Sequence, residues 1–204
     1  MPTDKNDWNQ LIKRSIEESL EAKQKLLENL SAIHEMAAKF VDTIRRGGTI
    51  FFFGNGGSAA DSQHLAAELV GRVSENRRGL PAIALTVDTS NLTAIANDFG
   101  YETVFARQIE ALFKKGDLAV AISTSGNSPN VLTAAKKAKE LGGFVIGLTG
   151  GSGGKLKDLT DLCFIAPASS PSRTQEVHIL VGHILCQITE QAFCGADGAA
   201  KAVK

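Results

Sequence analysis

The 204-residue chain has no excess of charge of either sign: 22 Lys and Arg balance 22 Asp and Glu. No global field therefore draws it toward nucleic acid or a membrane surface. Cysteine is scarce. Cys163, Cys186 and Cys194 form an odd set with no C-x-x-C pair. That argues against a disulfide framework and a cysteine-built zinc site, and for a reducing compartment, the cytoplasm. No apolar run reaches 18 residues, which excludes an obvious membrane-spanning helix. Met1-Pro2-Thr3-Asp4 opens a polar, charged stretch without the apolar core of a secretory signal, so export is not expected. Glycine is missing from the first 46 residues, where the only proline is Pro2.

What remains is the profile of a soluble globular domain, 43% hydrophobic and 22% charged, long enough to bury one substantial core. In the glycine-free segment, Ile12, Ile16, Leu20, Leu27, Leu30, Ile33, Ala37, Val41 and Ile44 recur every three or four residues. That period predicts one or two amphipathic helices over residues 1–47, ending at Gly47-Gly48 as a C-cap. The segment either packs on its own domain or against a second copy of the chain.

From residue 48 to 193 the pattern changes to short apolar runs punctuated by glycine, serine and asparagine. Thr49–Phe53, Pro81–Val87, Leu118–Ile122, Phe144–Leu148 and Leu162–Ala166 read as strands. Helical stretches are expected at Ala59–Val73, Leu92–Phe99, Val104–Phe113, Pro129–Leu141 and Gln175–Phe193, and residues 194–204 as a frayed tail. Strands without period-2 alternation, each followed by a helix, predict an α/β fold: a single three-layer αβα sandwich around a mostly parallel five-stranded sheet. No internal repeat or second domain is evident.

Ligands of such sheets bind beyond the carboxyl ends of the strands. Gly54-Asn55-Gly56-Gly57-Ser58 lies there, before a helix whose N-terminus favours an anion; a plain strand-to-helix turn is the alternative reading. The spacing is compatible with a loose dinucleotide fingerprint. However, the next acidic residue of the expected kind, Asp88, lies 34 residues after Gly54 rather than about 20, so no nucleotide cofactor is expected. Ser123-Thr124-Ser125-Gly126-Asn127-Ser128-Pro129 offers four hydroxyls before a second helix start, a phosphate cradle without the lysine of a P-loop. Asp61, His64, Glu68 and Arg72 share one helical stripe, which is either a solvent face or the flank of the ligand site. His64 and Glu68, one turn apart, can share a metal ion or a substrate. Gln175 and His183, eight residues apart, project to the same side of the closing helix, with His178 pointing elsewhere.

In combination, Gly54-Asn55-Gly56-Gly57-Ser58-Ala59-Ala60-Asp61-Ser62-Gln63-His64-Leu65-Ala66-Ala67-Glu68-Leu69, Leu92-Thr93-Ala94-Ile95-Ala96-Asn97-Asp98, the serine loop and Gln175-Glu176 with His178 and His183-Ile184-Leu185-Cys186 resemble the bacterial phosphoheptose isomerases. The resemblance runs from about residue 8 to 193. It implies a sugar isomerase (SIS) fold in a homotetramer that converts sedoheptulose 7-phosphate to D-glycero-D-manno-heptose 7-phosphate, toward the activated heptose of lipopolysaccharide or another surface polysaccharide. It further implies that Glu68 and His183 are the catalytic acid/base pair. Asn55, Gly56, Gly57, Glu68, Arg72, Asn97, Asp98, Ser123, Thr124, Ser125, Ser128 and Gln175 would hold the substrate. His64, Glu68, Gln175 and His183 would hold one zinc ion per subunit. Thr174 departs from the aliphatic residue expected before Gln175, and Ser172 stands where some relatives have an acid. Two non-enzymatic relatives compete: an SIS adaptor of the replication initiator and a sugar-phosphate-sensing module. The adaptor branch lacks the glutamate found here at 68 and has Thr for Gly57 and Arg for Ser125.

Overall fold

A computed structural model describes residues 5–194; apart from Cys194, the expected tail lies outside the described residues. Five parallel strands, β1 (Ile50–Gly54), β2 (Ala82–Ala84), β3 (Leu118–Ser123), β4 (Phe144–Thr149) and β5 (Leu162–Ile165), form one sheet in the order β2-β1-β3-β4-β5. Seven α-helices accompany the strands among the described residues: α1 (Lys5–Gln24), α2 (Leu30–Arg45), α3 (Gly57–Val70), α4 (Thr89–Phe99), α5 (Val104–Leu112), α6 (Pro129–Glu140) and α7 (Pro171–Phe193). The expected α/β architecture is the observed one.

The sheet is apolar on both faces because both are covered. Along β1, Ile50 and Phe52 belong to the core under α2, α3 and α7, whereas Phe51 and Phe53 belong to the core under α5 and α6. Phe52 meets Phe40 of α2 edge-on at 6.0 Å between ring centroids, and Phe53 meets Phe105 of α5 at 5.7 Å. The two edge strands, β2 and β5, are incompletely buried, whereas every residue of β1 and β3 is buried.

The amino-terminal segment is two helices joined by a 3-10 stretch, Lys25–Asn29. Its end is set by glycine: Gly47, at φ +80°, donates to the Ile44 carbonyl (3.0 Å), and Gly48 donates to Thr43 (2.9 Å). This pair of bonds is the Schellman closure of α2. Ile33, Met36, Ala37, Phe40 and Ile44 bury the inner face of α2 in the core, as do Ala22 and Leu26 just before it. Upstream, Trp8, Leu11, Ile12, Ile16 and Leu20 stay more than half exposed. The apolar stripe of α1 is thus left uncovered by the described residues.

On the same side of the sheet, α7 crosses α3. Gly182 permits the crossing, since a Cβ there would stand 2.6 Å from both methyl carbons of Leu65. Ser170 caps α7, accepting from the Arg173 N–H at 3.4 Å. His178 is fully buried between this helix and the sheet, with Nε2 2.9 Å from the Thr149 carbonyl. Burial lowers its pKa to about 4, against a smaller upward pull from that hydrogen bond. Nε2 therefore donates, the ring being neutral.

The pH dependence of stability follows. His178 titrates near 6.5 when unfolded and about 4 when folded, so between those values the unfolded chain binds the extra proton. The stability that neutral His178 contributes is complete above the unfolded pKa and is lost as pH falls through this window, by roughly 3 kcal/mol. Urea unfolding of the parent and of His178→Gln, at about pH 7 and about pH 4.5, should show a shallower acid loss in the variant by roughly that amount. Parallel losses in the two proteins would contradict it.

Candidate active site

The strand order reverses between β1 and β3, where helices leave toward opposite faces and the loops part into a crevice. Both signature loops open there. At the first, Gly54 lies so close to β3 and α3 that a Cβ would sit 2.7 Å from the Ile122 carbonyl and from the Ser58 Cβ. Gly56 has φ +57° and begins α3 with no side-chain cap; the Ser58 and Ala59 N–H groups close instead on the Asn55 and Gly56 carbonyls, each at 3.0 Å. Gly57 makes room of a different kind: a Cβ there would fall 2.6–2.7 Å from the amide atoms of Gln175. Gln175, on the first turns of α7, is thereby seated on the glycine loop.

The second loop is tied to the first by a reciprocal amide pair. Asn55 Nδ2 donates to Asn130 Oδ1 at 2.9 Å, and Asn130 Nδ2 donates to Asn55 Oδ1 at 2.8 Å. Asn130 is buried at the second position of α6, and Tyr101 adds a donor to Asn55 Oδ1 at 3.3 Å. Within the serine loop, the Ser123 and Ser128 hydroxyls lie 3.1 Å apart, and the Asn127 N–H donates to Ser125 Oγ at 3.2 Å. Gly126, at φ +64°, is pressed against the turn after β4; a Cβ would stand 2.0 Å from the Gly153 carbonyl. Thr124 and Ser125 then line a cavity of about 220 Å³ with Gly151, Ser169, Ser170 and Thr174. The unusual Thr174 is buried here, against Gly150.

Two to three turns along α3 from the glycine loop, three side chains converge. His64 Nε2 lies 2.8 Å from His183 Nε2 and 3.3 Å from Glu68 Oε1, and the two rings meet edge-on at 5.0 Å. One ligand atom from each of His64, Glu68 and His183 falls within 4.8 Å of the others. The cluster joins α3 to α7 directly after the Gly182–Leu65 contact. At 2.8 Å one imidazole must donate and the other accept. Two imidazoles and a carboxylate aimed at one point also form a set that can hold a metal ion, provided both rings are neutral. Asp61, one turn earlier, has an oxygen without a hydrogen-bond partner among the described residues, and burial raises its carboxyl to about 6 against the opposing pull of His64.

Other expected site residues lie apart from this cluster. The helix expected to reach Val73 ends at Val70, with Gly71 as its cap, so Arg72 leaves the polar stripe and stands exposed in the following loop. Asn97 and Asp98 pair with each other (2.8 Å) on the exposed end of α4, about one turn before the 3-10 turn that starts at Tyr101. Sequence reasoning missed Asn130, Tyr101, Arg77 and Glu190. Asn130 had a legible signal, an amide one residue after the proline that starts an apolar helix. No helix of the described residues is long and apolar enough to cross a membrane.

The SIS domain family profile matches residues 13–150, ending before α7. Curated relatives extend further. A phosphoheptose isomerase of Roseiflexus sp. is 51% identical over 179 residues, 87% of this chain and 91% of its own. One from Helicobacter hepaticus is 51% identical over 188 residues, covering 92% and 95%. Among solved structures, a phosphoheptose isomerase from Neisseria gonorrhoeae superimposes with a TM-score of 0.85 at 41% identity, covering 90% of this chain and 99% of that one. Family profile, near-full-length identity and fold agree, and the chain belongs to the SIS-domain family of phosphoheptose isomerases.

Proposed function

We propose that the chain is an aldose–ketose isomerase that converts sedoheptulose 7-phosphate to D-glycero-D-manno-heptose 7-phosphate in the cytoplasm, an early step toward activated heptose for lipopolysaccharide or a related surface polysaccharide. The observation that carries this reading is the meeting of Glu68 and His183 across the α3–α7 crossing, with Gln175 of the same α7 seated against Gly57 of the glycine loop.

The reaction moves one proton off carbon 1 and returns one to carbon 2, through a cis-enediol. Glu68, held 3.3 Å from His64 and largely shielded from water, is the carboxylate that takes and returns the carbon-bound proton. His183 supplies and recovers the proton on the sugar oxygens, and His64 orients its ring through the short Nε2 contact. Such positioned proton transfer contributes about a hundredfold to ten-thousandfold. Ser123, Thr124, Ser125 and Ser128 hold the remote phosphate, so that binding energy far from the reacting carbons orients them. Asn55, Gly56 and Gly57 line the sugar path, and Gln175 reaches it above Gly57. Asn97, Asp98 and the exposed Arg72 contribute at its rim.

His64, Glu68 and His183, with Gln175 as a fourth and weaker ligand, suit zinc. When bound, zinc would polarise the sugar carbonyl as a Lewis acid. Residues 1–47 are read as the assembly element of the same domain as residues 48–193, in a homotetramer; the exposed stripe from Trp8 to Leu20 supports this. The adaptor reading is not favoured: Glu68 is present, and a threonine at 57 would press on the Gln175 amide.

Three measurements test this. Glu68→Gln should lower kcat for heptose 7-phosphate formation by about a hundredfold or more with KM little changed, since the amide keeps the shape and cannot take a proton. His183→Ala should be similarly severe; more than about a tenth of parent activity in Glu68→Gln would remove Glu68 from this role. For the metal, untagged protein should contain near-stoichiometric zinc by elemental analysis. Chelation should remove activity and zinc should return it, whereas metal-poor protein with chelator-insensitive turnover would leave only the acid/base pair. For assembly, sedimentation should give about four times the 21.6 kDa chain mass. Deleting residues 1–30 should cause dissociation or aggregation, and an active, intact tetramer after the deletion would show that the stripe is dispensable.

A further inference from the structure

Beyond the reacting groups, the α3–α7 junction contains a buried ion pair with no part in the proton chemistry. Arg77 lies in the loop after α3, and Glu190 lies on α7, seven residues past His183 and so on the same face of that helix. Their side chains are each 1% exposed, with Arg77 Nε 3.3 Å from Glu190 Oε1. Glu190 also accepts from the backbone N–H groups of Val73 (2.9 Å), Ser74 (2.8 Å) and Glu75 (3.0 Å), and from the Ser74 hydroxyl (3.2 Å). Burial alone would raise its carboxyl; these donors together hold it below its ordinary value. Glu190 is charged, and its charge is answered.

The other end of the pair reaches α3. A helix leaves its last four carbonyls without intrahelical partners. Arg77 Nη2 donates to the carbonyl of Glu68 (2.8 Å), and Nη1 donates to those of Leu69 (2.8 Å) and Gly71 (3.2 Å). One guanidinium thus closes the final turn of α3, and the residue whose carbonyl it grips is Glu68 itself. A planar fork is what lets one side chain span successive carbonyls.

We propose that Arg77 and Glu190 are positioning residues for the acid/base pair: Glu190 anchors Arg77 to α7, and Arg77 anchors the Glu68 turn, so that this clamp sets the Glu68-to-His183 separation. Gly182 fixes the approach of the two helices at Leu65, and the clamp fixes it one turn further along α3 and two turns further along α7. With both points held, Glu68 cannot rotate or slide relative to His183. This inference rests on the reading of Glu68 and His183 as the proton-transfer groups.

The test separates positioning from mere stability. Arg77→Lys keeps a positive charge beside Glu190 but replaces the fork by a single ammonium; Glu190→Asp keeps the carboxylate but shortens its reach. Both are assayed well below their own thermal midpoints, with tetramer mass and circular dichroism recorded alongside. The expected result is a folded protein with kcat lowered about tenfold or more and KM within about twofold of the parent, as for misplaced catalytic geometry. Parent-like kcat in either folded variant overturns the proposal. So does a loss that appears equally in kcat and KM, or one that merely follows the unfolded fraction. If neither variant folds at the assay temperature, the pair is a stability device and the proposal is likewise overturned. Glu68→Gln is measured in the same series. Activity in that variant removes the underlying reading, whereas an inactive Glu68→Gln beside a fully active Arg77→Lys removes the clamp alone.

Discussion

The meeting of His64, Glu68 and His183 depends on how closely α7 can approach α3. That distance is set where Gly182 lies on Leu65, with room for a hydrogen and not for a methyl group. One turn later Cys186 Sγ rests 3.8 Å from the Leu65 carbonyl. Burial pushes its thiol up to about 12, so it packs there as a small apolar side chain, not as a nucleophile. His183, adjacent to Gly182, is thereby delivered onto His64 and Glu68. No loop has to fold over to assemble the cluster. It is a consequence of two helices lying in van der Waals contact, and rigid elements hold catalytic geometry better than loops do.

The other end of the crevice is built on a different principle. There the backbone, not helix packing, does the positioning. Gly54 and Gly126 bring main chain closer to neighbouring main chain than any side chain would allow. The Asn55–Asn130 pair locks the two loops at one separation. Each amide in that pair spends one donor and one acceptor on its partner, so Asn55 retains a second N–H for a ligand. A loop region of hydroxyls and a cluster of imidazole and carboxylate are thus held on one scaffold. The proposed reaction needs such an arrangement, in which remote binding energy orients a reacting carbon.

Most of the architecture was legible because buried parallel strands write themselves as unbroken apolar runs. Leu118–Ile122 and Phe144–Leu148 each extend by one residue in the structure, and Gly47-Gly48 ends α2 as its position suggested. The helical period could not reveal the 3-10 break at Lys25–Asn29, since a shift of phase in a half-exposed segment leaves apolar residues at similar spacing. It also carried α3 too far: the stripe from Asp61 to Glu68 continues arithmetically to Arg72, but Gly71 ends the helix first. The clamp was illegible for a deeper reason. Arg77 sits among charged and polar residues that read as an exposed loop, and Glu190 sits near the end of a helix. Their burial exists only because elements over a hundred residues apart in sequence close on one another.

The placement of Glu190 has a consequence for the order in which the chain becomes competent. During synthesis the sheet residues leave the ribosome before α7, and domains begin to organise from the amino-terminal side. Until residues 177–190 follow, the α3 face that carries Leu65 has no cover. The Arg77 guanidinium, too, lacks the carboxylate that answers its charge. A nascent chain complete through β5 therefore lacks the α7 side of the Leu65 contact. Of the described helices α7 is the last to emerge, and its docking brings His183 to His64 and Glu68 and Glu190 to Arg77 together.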